Sequence, residues 1–213
     1  MITLKTFVFN PFQENTYILF DESKEAVIVD PGFANTKEFD QLLQYIEKQH
    51  LLPVKLINTH GHVDHVLGVN QSAAKFKLQP EFHKDELELL KQAEQYGAMF
   101  GMTLSKLPQI NNFLSETEDI VFGNSSLKVI HVPGHSPGSV AFYSAADQFV
   151  ITGDVLFKGS IGRTDLPGGN YDILMKSIEK LLKLGDDVLI FPGHGPSSTI
   201  GMELKTNPFL NAT

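Results

Sequence analysis

The sequence predicts a layered α/β protein in which two β-sheets face each other and α-helices cover the outside. Short β-rich segments alternate with amphipathic segments, and an order of strands followed by helices occurs once in each half of the chain. No low-complexity segment or linker separates the halves. Apolar residues form 42% and charged residues 20% of the 213 residues, which is ordinary for a globular protein with a substantial core. We therefore expect a single domain over residues 1–213.

The first half begins with a predicted meander of three strands. These β-rich segments, separated by turns, occupy residues 2–9, 15–20 and 25–30. The segment 36–49 is predicted to be a helix, because its apolar residues have the spacing of one helix face. Four further elements follow as strand, helix, strand and helix, at residues 54–58, 66–76, 81–83 and 85–96.

The segment 97–113 is apolar but interrupted by glycine and proline. It is predicted to be either a flap over a pocket or a loop packed on the surface, and the sequence leaves both open. The second half returns to β-structure and closes with a helix and a buried strand. The predicted strands are 120–122, 127–132, 139–143, 148–152 and 187–191, and the helix is 171–184.

Composition excludes several classes of protein. The formal net charge of −8 disfavours binding to nucleic acid or to an anionic membrane surface. The absence of cysteine excludes disulfides, thiolate nucleophiles and thiolate metal ligands. The N-terminal residues alternate like a strand and lack the apolar core of a signal peptide, and no apolar segment is long enough to cross a bilayer. We expect a cytoplasmic location.

The sequence THGHVDH at residues 59–65 contains three of the eight histidines and one aspartate. It follows a short apolar strand, so these side chains lie where a strand ends and a loop begins. A regular strand would point Asp64 and His65 to opposite faces, and the loop must therefore curl for His60, His62, Asp64 and His65 to converge. A bound metal ion would explain such a curl, and Gly61 makes it easier.

Three more candidate ligands follow directly after predicted strands of the second half. His135 lies in the turn VPGHSPG, Asp154 follows the strand in ITGD, and His194 lies in FPGHG. With them the candidates are five histidines and two aspartates, enough for two ions of three or four protein ligands each with one carboxylate shared. Nitrogen and oxygen ligands favour zinc, iron or manganese and do not separate them.

Four other polar residues are interpreted more conservatively. Asp30, in the turn DPG, is predicted either to form a simple turn or to hold a metal ligand in place. His50 ends a predicted helix and suits its dipole. His83 and His131 are predicted to have packing or surface roles.

The residues 59–65 with His135, Asp154, His194 and the DPG turn resemble the signature of the metallo-β-lactamase superfamily. Within that superfamily, the chain resembles the hydroxyacylglutathione hydrolase (glyoxalase II) branch more closely than other branches. Segments 10–17, 159–169 and 195–201 resemble the small bacterial glyoxalase II-like proteins, as do Glu203, Asn207 and Pro208. The resemblance covers nearly the whole chain.

The resemblance implies a four-layer αββα sandwich with two divalent metal ions, zinc first and iron or manganese as alternatives. One ion is held by His60, His62 and His135, the second by Asp64, His65 and His194, and Asp154 bridges them. The implied reaction is hydrolysis of a thioester such as S-lactoylglutathione by a metal-bridging hydroxide, with metal stabilisation of the oxyanion. Asp64 is the candidate that orients this nucleophile or accepts its proton.

The sequence departs from full-length glyoxalase II on the substrate side. We expect the C-terminal helical domain to be missing, and the tyrosine that the family places after the last histidine is absent. Arg163 occupies a position where the larger enzymes have a basic glutathione contact, and it is predicted either to bind a substrate anion or to be structural. Lys158 is a weaker candidate of the same kind. The expected partner is a small (thio)ester, such as a glutathione conjugate.

Three alternatives remain at this point. A persulfide dioxygenase of the same fold would use one iron on His60, His135 and Asp154. A lactonase or other ester hydrolase is also compatible, although the lack of cysteine excludes a cysteine-ligated β-lactamase site. A non-catalytic metal-bound scaffold is the third alternative, and the complete ligand set argues against it.

Overall fold

The structure is a computed structural model of the 213-residue chain, and it describes residues 1–99, 101, 102, 104, 107 and 109–211. Two six-stranded sheets dominate these residues, and a small two-stranded sheet accompanies them. Among the described residues, no helix is both long and apolar enough to cross a membrane.

The first sheet has the strand order β1-β2-β3-β4-β5-β6. Its strands are β1 (Thr3–Phe9), β2 (Glu14–Phe20), β3 (Glu25–Val29), β4 (Leu52–Ile57), β5 (Pro80–His83) and β6 (Asn112–Leu114). The first three are antiparallel neighbours, which confirms the predicted meander. From β3 to β6 each pair is parallel, so the chain must cross over between strands and return to the same end of the sheet.

The second sheet has the order β14-β13-β10-β9-β8-β7. Its strands are β7 (Ile120–Phe122), β8 (Ser125–His131), β9 (Val140–Ser144), β10 (Phe149–Gly153), β13 (Leu189–Pro192) and β14 (Ser198–Thr199). The pair β10 and β13 is parallel and the other pairs are antiparallel. The small sheet pairs β11 (Leu156–Phe157) with β12 (Ser160–Ile161).

Among the described residues, five helices connect these strands and a sixth follows the last strand. They are α1 (Thr36–Lys48), α2 (Val63–Val66), α3 (Val69–Phe76), α4 (Leu87–Met99), α5 (Tyr171–Leu182) and α6 (Ile200–Thr206). A 3₁₀ turn, Lys84–Glu86, leads into α4. Side-chain caps begin α1, α5 and α6, where Asn35, Asn170 and Thr199 accept a backbone N–H of the first turn.

The main core lies between the inner faces of the two sheets. Leu19 and Val29 of the first sheet belong to one buried cluster with Phe142 and Ile151 of the second. On the outside, α1 packs on the first sheet through Leu42 and Ile46, and α5 packs on the second through Leu174 and Ile178. These layers are helix, sheet, sheet and helix, so the predicted αββα sandwich is confirmed.

The predicted helix 66–76 was wrong in its extent. One helical turn, α2, begins earlier at Val63, and the helix is interrupted before α3 begins at Val69. The interruption arises because the Gly68 N–H donates to the Pro31 carbonyl at 2.7 Å instead of to a helix carbonyl. Strands β6, β11, β12 and β14 and helix α6 were not predicted. Of the segment 97–113, residues 97–99 extend α4 and 112–113 begin β6, and five of the others lie outside the described residues.

Candidate metal centre

All seven candidate ligands lie just after strands, at one edge of the sandwich. His60, His62, Asp64 and His65 follow β4 of the first sheet. His135 follows β8, Asp154 follows β10 and His194 follows β13, all in the second sheet. The centre is therefore assembled from both sheets, and each half of the chain supplies part of it.

The loop after β4 curls as the sequence predicted, and the curl is helical. Residues Val63–Val66 form the single turn α2, with His62 at its N-cap position. Successive residues of a helix are about 100° apart, rather than the 180° of a strand. Asp64 and His65 can therefore point toward the same region as His60 and His62.

A first group of ligand atoms belongs to His60, His62 and His135, which can offer nitrogens that lie within 4.8 Å of one another. Within this group, His62 Nδ1 is 2.8 Å from His135 Nε2. His60 and His135 come from opposite sheets, and both are buried, at 1% and 2% exposure.

A second group belongs to Asp64, His65 and His194, whose ligand atoms also lie within 4.8 Å of one another. His194 Nε2 is 3.1 Å from Asp64 Oδ2 and 3.3 Å from His65 Nε2. The rings of His60 and His65 have centroids 4.2 Å apart, so the two groups lie side by side.

Asp154 lies between the groups. Its Oδ1 is 3.4 Å from His65 Nε2, and its Oδ2 is 3.7 Å from His135 Nε2 and 3.5 Å from His194 Nε2. One carboxylate thus reaches both groups, which is the geometry that a bridging ligand requires.

Four of the five histidines have their Nδ1 atom at a fixed acceptor on the side away from the centre. The pairs are His60 with Thr59 Oγ1 at 3.0 Å, His65 with Asp30 Oδ2 at 3.0 Å, His135 with the Arg163 carbonyl at 2.9 Å and His194 with the Phe12 carbonyl at 3.0 Å. Nδ1 donates in each pair. The carboxylate and the two carbonyls can only accept, and the Thr59 hydroxyl already donates to Asp30 and so accepts from His60. The Nε2 lone pair of each ring is therefore left to bind a metal ion.

The donor set fits divalent ions with nitrogen and oxygen ligands. Among the described residues, His60 Nε2, His62 Nε2 and Asp154 Oδ1 are buried polar atoms without a hydrogen-bond partner. Buried polar atoms are normally paired, so unpaired atoms on three of the candidate ligands indicate that a bound group completes this site. Separations of 2.8–3.8 Å between donor atoms are also close to those of ligands that share one ion with bonds of about 2.0–2.2 Å.

Electrostatics differ between the two groups. Burial lowers the pKa of His60, His62 and His135, and that of His62 falls to about 3, so these rings are neutral as ligation requires. Burial opposes the charging of His194 as well, but hydrogen bonds with Asp154 and Asp64 raise its pKa to about 10. For His65, burial has the same effect and the two carboxylates outweigh it, so its pKa is also raised. The carboxylates of Asp64 and Asp154 therefore stabilise positive charge at the second group, where protons on His65 and His194 and a bound cation compete for the same carboxylates.

Asp30 has the supporting role that was one of its two predicted interpretations. Its Oδ1 accepts the Thr59 N–H at 2.7 Å, and its Oδ2 accepts both the Thr59 hydroxyl and His65 Nδ1. The carboxylate is fully buried. It orients a candidate ligand and the start of the loop at once.

Two buried glutamates of the site were not predicted. Glu14 is fully buried with Oε1 3.9 Å from His65 Nδ1, and burial raises its pKa well above the usual range. Glu86 is also fully buried and accepts hydrogen bonds from Gly61, Ser136 and Gly138. A lone glutamate in a turn or at a helix start is usually solvent-exposed, so neither residue was expected to be buried at the site, although Glu14 lies in the segment 10–17 that resembles the family.

A cavity of about 410 Å³ opens above the candidate ligands. Arg163 lines this cavity, whereas Lys158 is not among its lining residues. The Arg163 guanidinium is engaged in a two-point ion pair with Asp165, with both N–O distances at 2.7 Å. The contribution of Arg163 that the structure defines is its carbonyl, which accepts from His135.

The remaining histidines lie outside the centre. His83 and His131 stack on each other with ring centroids 4.1 Å apart, and with Asp85 they form a separate small group. His131 Nε2 is 3.1 Å from the Pro137 carbonyl. His50 follows the end of α1 and is exposed. These placements agree with the packing and surface roles that were predicted.

The fold and the metal-ligating edge define a class of protein. Residues 9–194 match the family model of the metallo-beta-lactamase superfamily. The chain belongs to this superfamily and is a metallohydrolase, and the superfamily fold binds divalent metal ions, often two.

Three similar proteins show which members of the superfamily the chain resembles. The chain is 39% identical to the hydroxyacylglutathione hydrolase GloC of Haemophilus influenzae, over 94% of each chain. The crystal structure of the B3 metallo-beta-lactamase BLEG-1 is 34% identical with a TM-score of 0.90, and the match covers 98% of this chain and all of that one. TTHA1623, solved in a di-iron-bound form, is 37% identical with a TM-score of 0.87, over 97% of this chain and all of that one.

Proposed function

We propose that the chain hydrolyses a thioester, such as S-lactoylglutathione, with two divalent metal ions. The observation that carries the proposal is the convergence of five histidines and two aspartates at one cavity in a chain without cysteine. Five of these seven side chains line the cavity: His62, Asp64, His135, Asp154 and His194. The resemblance to a hydroxyacylglutathione hydrolase over nearly the full length supports the thioester as substrate.

In this proposal each group of three ligands holds one ion. His60, His62 and His135 would hold the first, Asp64, His65 and His194 would hold the second, and Asp154 would contribute to both. When bound, such ions lower the pKa of a coordinated water and polarise a carbonyl oxygen. Zinc suits sites of three protein ligands with an open position, but iron and manganese accept the same donors. The di-iron form of TTHA1623 makes iron the first alternative.

The side chains themselves supply position and charge. Asp64 lines the cavity, so its carboxylate can orient a water molecule and accept its proton. The fixed Nδ1 contacts hold the imidazoles in place before the substrate arrives, which reduces reorganisation during the reaction. Arg163 lines the cavity and remains our proposed contact for a substrate carboxylate, which would have to replace Asp165 on the guanidinium. Lys158 does not line the cavity and remains the weaker candidate.

The deciding experiment is metal analysis of the purified protein together with a thioesterase assay on S-lactoylglutathione. We expect two ions per chain and loss of thioester absorbance that stops when a chelator is added. Two ions per chain without cleavage of any thioester tested would overturn the proposed substrate class and leave the ligand assignment intact. Lactones should be assayed as substrates in the same series, because the fold alone is also compatible with lactone hydrolysis.

We predict that Asp154→Ala removes at least one ion per chain and lowers the rate by about 100-fold or more, because even residues that only support metal ligands are worth 10–100-fold. Metal content by mass spectrometry and steady-state kinetics measure the two effects. Asp172→Ala, at an exposed position in the first turn of α5, should leave both unchanged. Full activity of Asp154→Ala would show that its carboxylate is not a shared ligand.

Persulfide dioxygenation is the second candidate, and the iron in TTHA1623 is the observation that favours it. His60, His135 and Asp154 offer two histidines and one carboxylate for a single iron. Oxygen uptake with glutathione persulfide tests this candidate. Uptake without thioester cleavage would replace the hydrolase proposal.

A further inference from the structure

One wall of the cavity above the candidate ligands is apolar and belongs to helix α4. Leu89, Ala93, Tyr96 and Met99 line it. Their spacing of three or four residues places them on one stripe of the helix. Leu166 and Pro167 also line the cavity, so apolar groups flank the metal-ligating floor.

Some of this apolar surface is left open to solvent. Met99 is 71% exposed and Phe12, which also lines the cavity, is 43% exposed. Exposing large apolar side chains at the mouth of a polar site costs free energy, which an apolar ligand would recover by covering them. Arg163, a cation among the described lining residues, already has its guanidinium on Asp165.

We propose that the α4 wall binds an apolar group of the substrate, of about the size of an aromatic ring. This proposal rests on the thioester hydrolysis proposed above and names its substrate class: thioesters with an apolar acyl or thiol group next to the scissile bond. The wall is continuous with the cavity floor, so a carbonyl placed at the candidate ligands puts its substituents against α4.

Two assays separate the acyl side from the thiol side. The acyl assay compares S-mandeloylglutathione with S-lactoylglutathione, and the thiol assay compares the thioacetates of 2-phenylethanethiol and ethanethiol. In at least one pair we expect the phenyl compound to have the higher kcat/KM by about tenfold or more, since one buried methylene is already worth 10–200-fold. Tyr96→Ala should reduce that ratio at least about fivefold, by the same contact argument.

The matched control is Gln95→Ala, a neighbouring exposed position of α4 that does not line the cavity. It should keep the wild-type ratios. Equal kcat/KM ratios in Tyr96→Ala and Gln95→Ala would overturn the proposal that the α4 wall binds an apolar group. If the wild-type protein cleaves no thioester, thioester hydrolysis is overturned, and binding of mandelate against lactate by calorimetry still decides the wall: tighter mandelate binding that Tyr96→Ala abolishes supports it, and equal binding overturns it.

An independent observation concerns Glu86, in the 3₁₀ turn before α4. Its Oε2 accepts the Gly61 N–H at 2.6 Å, and its Oε1 accepts the Ser136 hydroxyl at 2.7 Å and the Gly138 N–H at 2.5 Å. Gly61 lies between His60 and His62, and Ser136 follows His135. One fully buried carboxylate therefore joins the two loops, from opposite sheets, that carry the first group of ligands.

The two glycines make this contact possible. A Cβ added at Gly61 would lie 3.0 Å from Glu86 Oε2 and 2.9 Å from Leu90, and one at Gly138 would lie 2.8 Å from Glu86. Both loops thus approach the carboxylate more closely than a residue with a side chain would allow. Burying a carboxylate is costly, and three hydrogen bonds offset that cost only while both loops stay in place.

We infer that Glu86 is a positioning residue that sets the spacing of His60, His62 and His135 for metal binding. In Glu86→Gln the amide oxygen can still accept from Ser136 and Gly138, but the amide nitrogen then faces the Gly61 N–H, donor to donor. We expect the affinity for one of the two ions to fall about 10–100-fold, as for other residues that orient metal ligands, while the other ion keeps its affinity.

Stepwise titration of the metal-free protein with Co²⁺, followed by its visible absorption and by chelator competition, measures both affinities. Glu203→Gln is the matched control, because Glu203 is equally buried and accepts from Gly159, Ser198 and Asn207 away from the centre. It should lower the stability of the metal-free protein without changing either Co²⁺ affinity. Unchanged affinities in Glu86→Gln, or equal losses in both variants, would reduce Glu86 to a fold-stabilising role and overturn the inference.

Discussion

At the candidate centre, the orientation of four histidine rings depends on the hydrogen-bond partner of the ring nitrogen that faces away from the centre. The Nδ1 atoms of four histidines are held by a hydroxyl, a carboxylate and two backbone carbonyls. Three of those partners, Asp30, Phe12 and Arg163, lie far from their histidines in the sequence. The THGHVDH motif identified four of the candidate ligands, because clustered histidines and aspartate have few other uses. It contained no information on which ring nitrogen faces the centre.

Asp30 offers a test at this scale. We predict that Asp30→Asn lowers the affinity for the ion at the second group by about 10–100-fold, because the amide has one acceptor oxygen and can no longer accept all three hydrogen bonds from Thr59 and His65. Chelator competition on the metal-loaded protein measures the change. Asp40→Asn, at an exposed position of α1, serves as the control and should behave like the wild type. An unchanged affinity in Asp30→Asn would mean that His65 is oriented without it.

At the scale of elements, the long and periodic segments were predicted well, whereas the two-residue strands and β6 were missed. Helices α1 and α5 have apolar faces that recur with the helical period, so their core residues could be identified from the sequence. Strands β11, β12 and β14 have two residues each, which is too short for any alternation to be visible. The break between α2 and α3 depends on a hydrogen bond to Pro31, more than thirty residues earlier.

Helix α5 allows the packing to be tested. Ile178 is fully buried between α5 and the second sheet, in a cluster with Ala141 and Val150. We predict that Ile178→Ala lowers the free energy of unfolding by about 2–5 kcal/mol, through lost burial and the cavity left behind. Urea unfolding followed by circular dichroism measures this. Glu179→Ala, on the exposed face, should change it by less than about 0.5 kcal/mol; a similar loss in both variants would contradict the assigned packing.

At the scale of the whole molecule, the two sheets are tied together far from the metal centre as well as at it. Asp21, just after β2, accepts the Asn124 N–H at 2.7 Å and the Ser125 hydroxyl at 2.8 Å, both at the turn between β7 and β8. Burial alone would raise the pKa of Asp21, but hydrogen bonds from Ser23, Ser125 and Asn124 lower it to about 2.

The lowered pKa predicts a pH-dependent stability. Because the folded protein holds the charged form more strongly than the unfolded chain, whose aspartates titrate near 3.9, Asp21 stabilises the fold above about pH 4. That stabilisation, about 1–2 kcal/mol, disappears as the pH falls toward 2. The free-energy difference between the wild type and Asp21→Asn in urea should therefore be largest at pH 6 and shrink below pH 4. The difference for Asp119→Asn, an exposed control, should stay near zero, and a constant difference for Asp21→Asn would contradict the prediction.

From the order of the amino acids alone, the αββα architecture and the seven candidate ligands could be inferred, since hydrophobic periodicity and clustered histidines are local patterns that survive without coordinates. Only the tertiary structure determined which atoms are in contact. The joining of two loops by Glu86, the support of His65 by Asp30, the pairing of Arg163 with Asp165 and the apolar wall of α4 all depend on how strands and loops pack in space. A contact between residues far apart in the chain leaves no periodic trace in either segment, so only the packed sandwich reveals it.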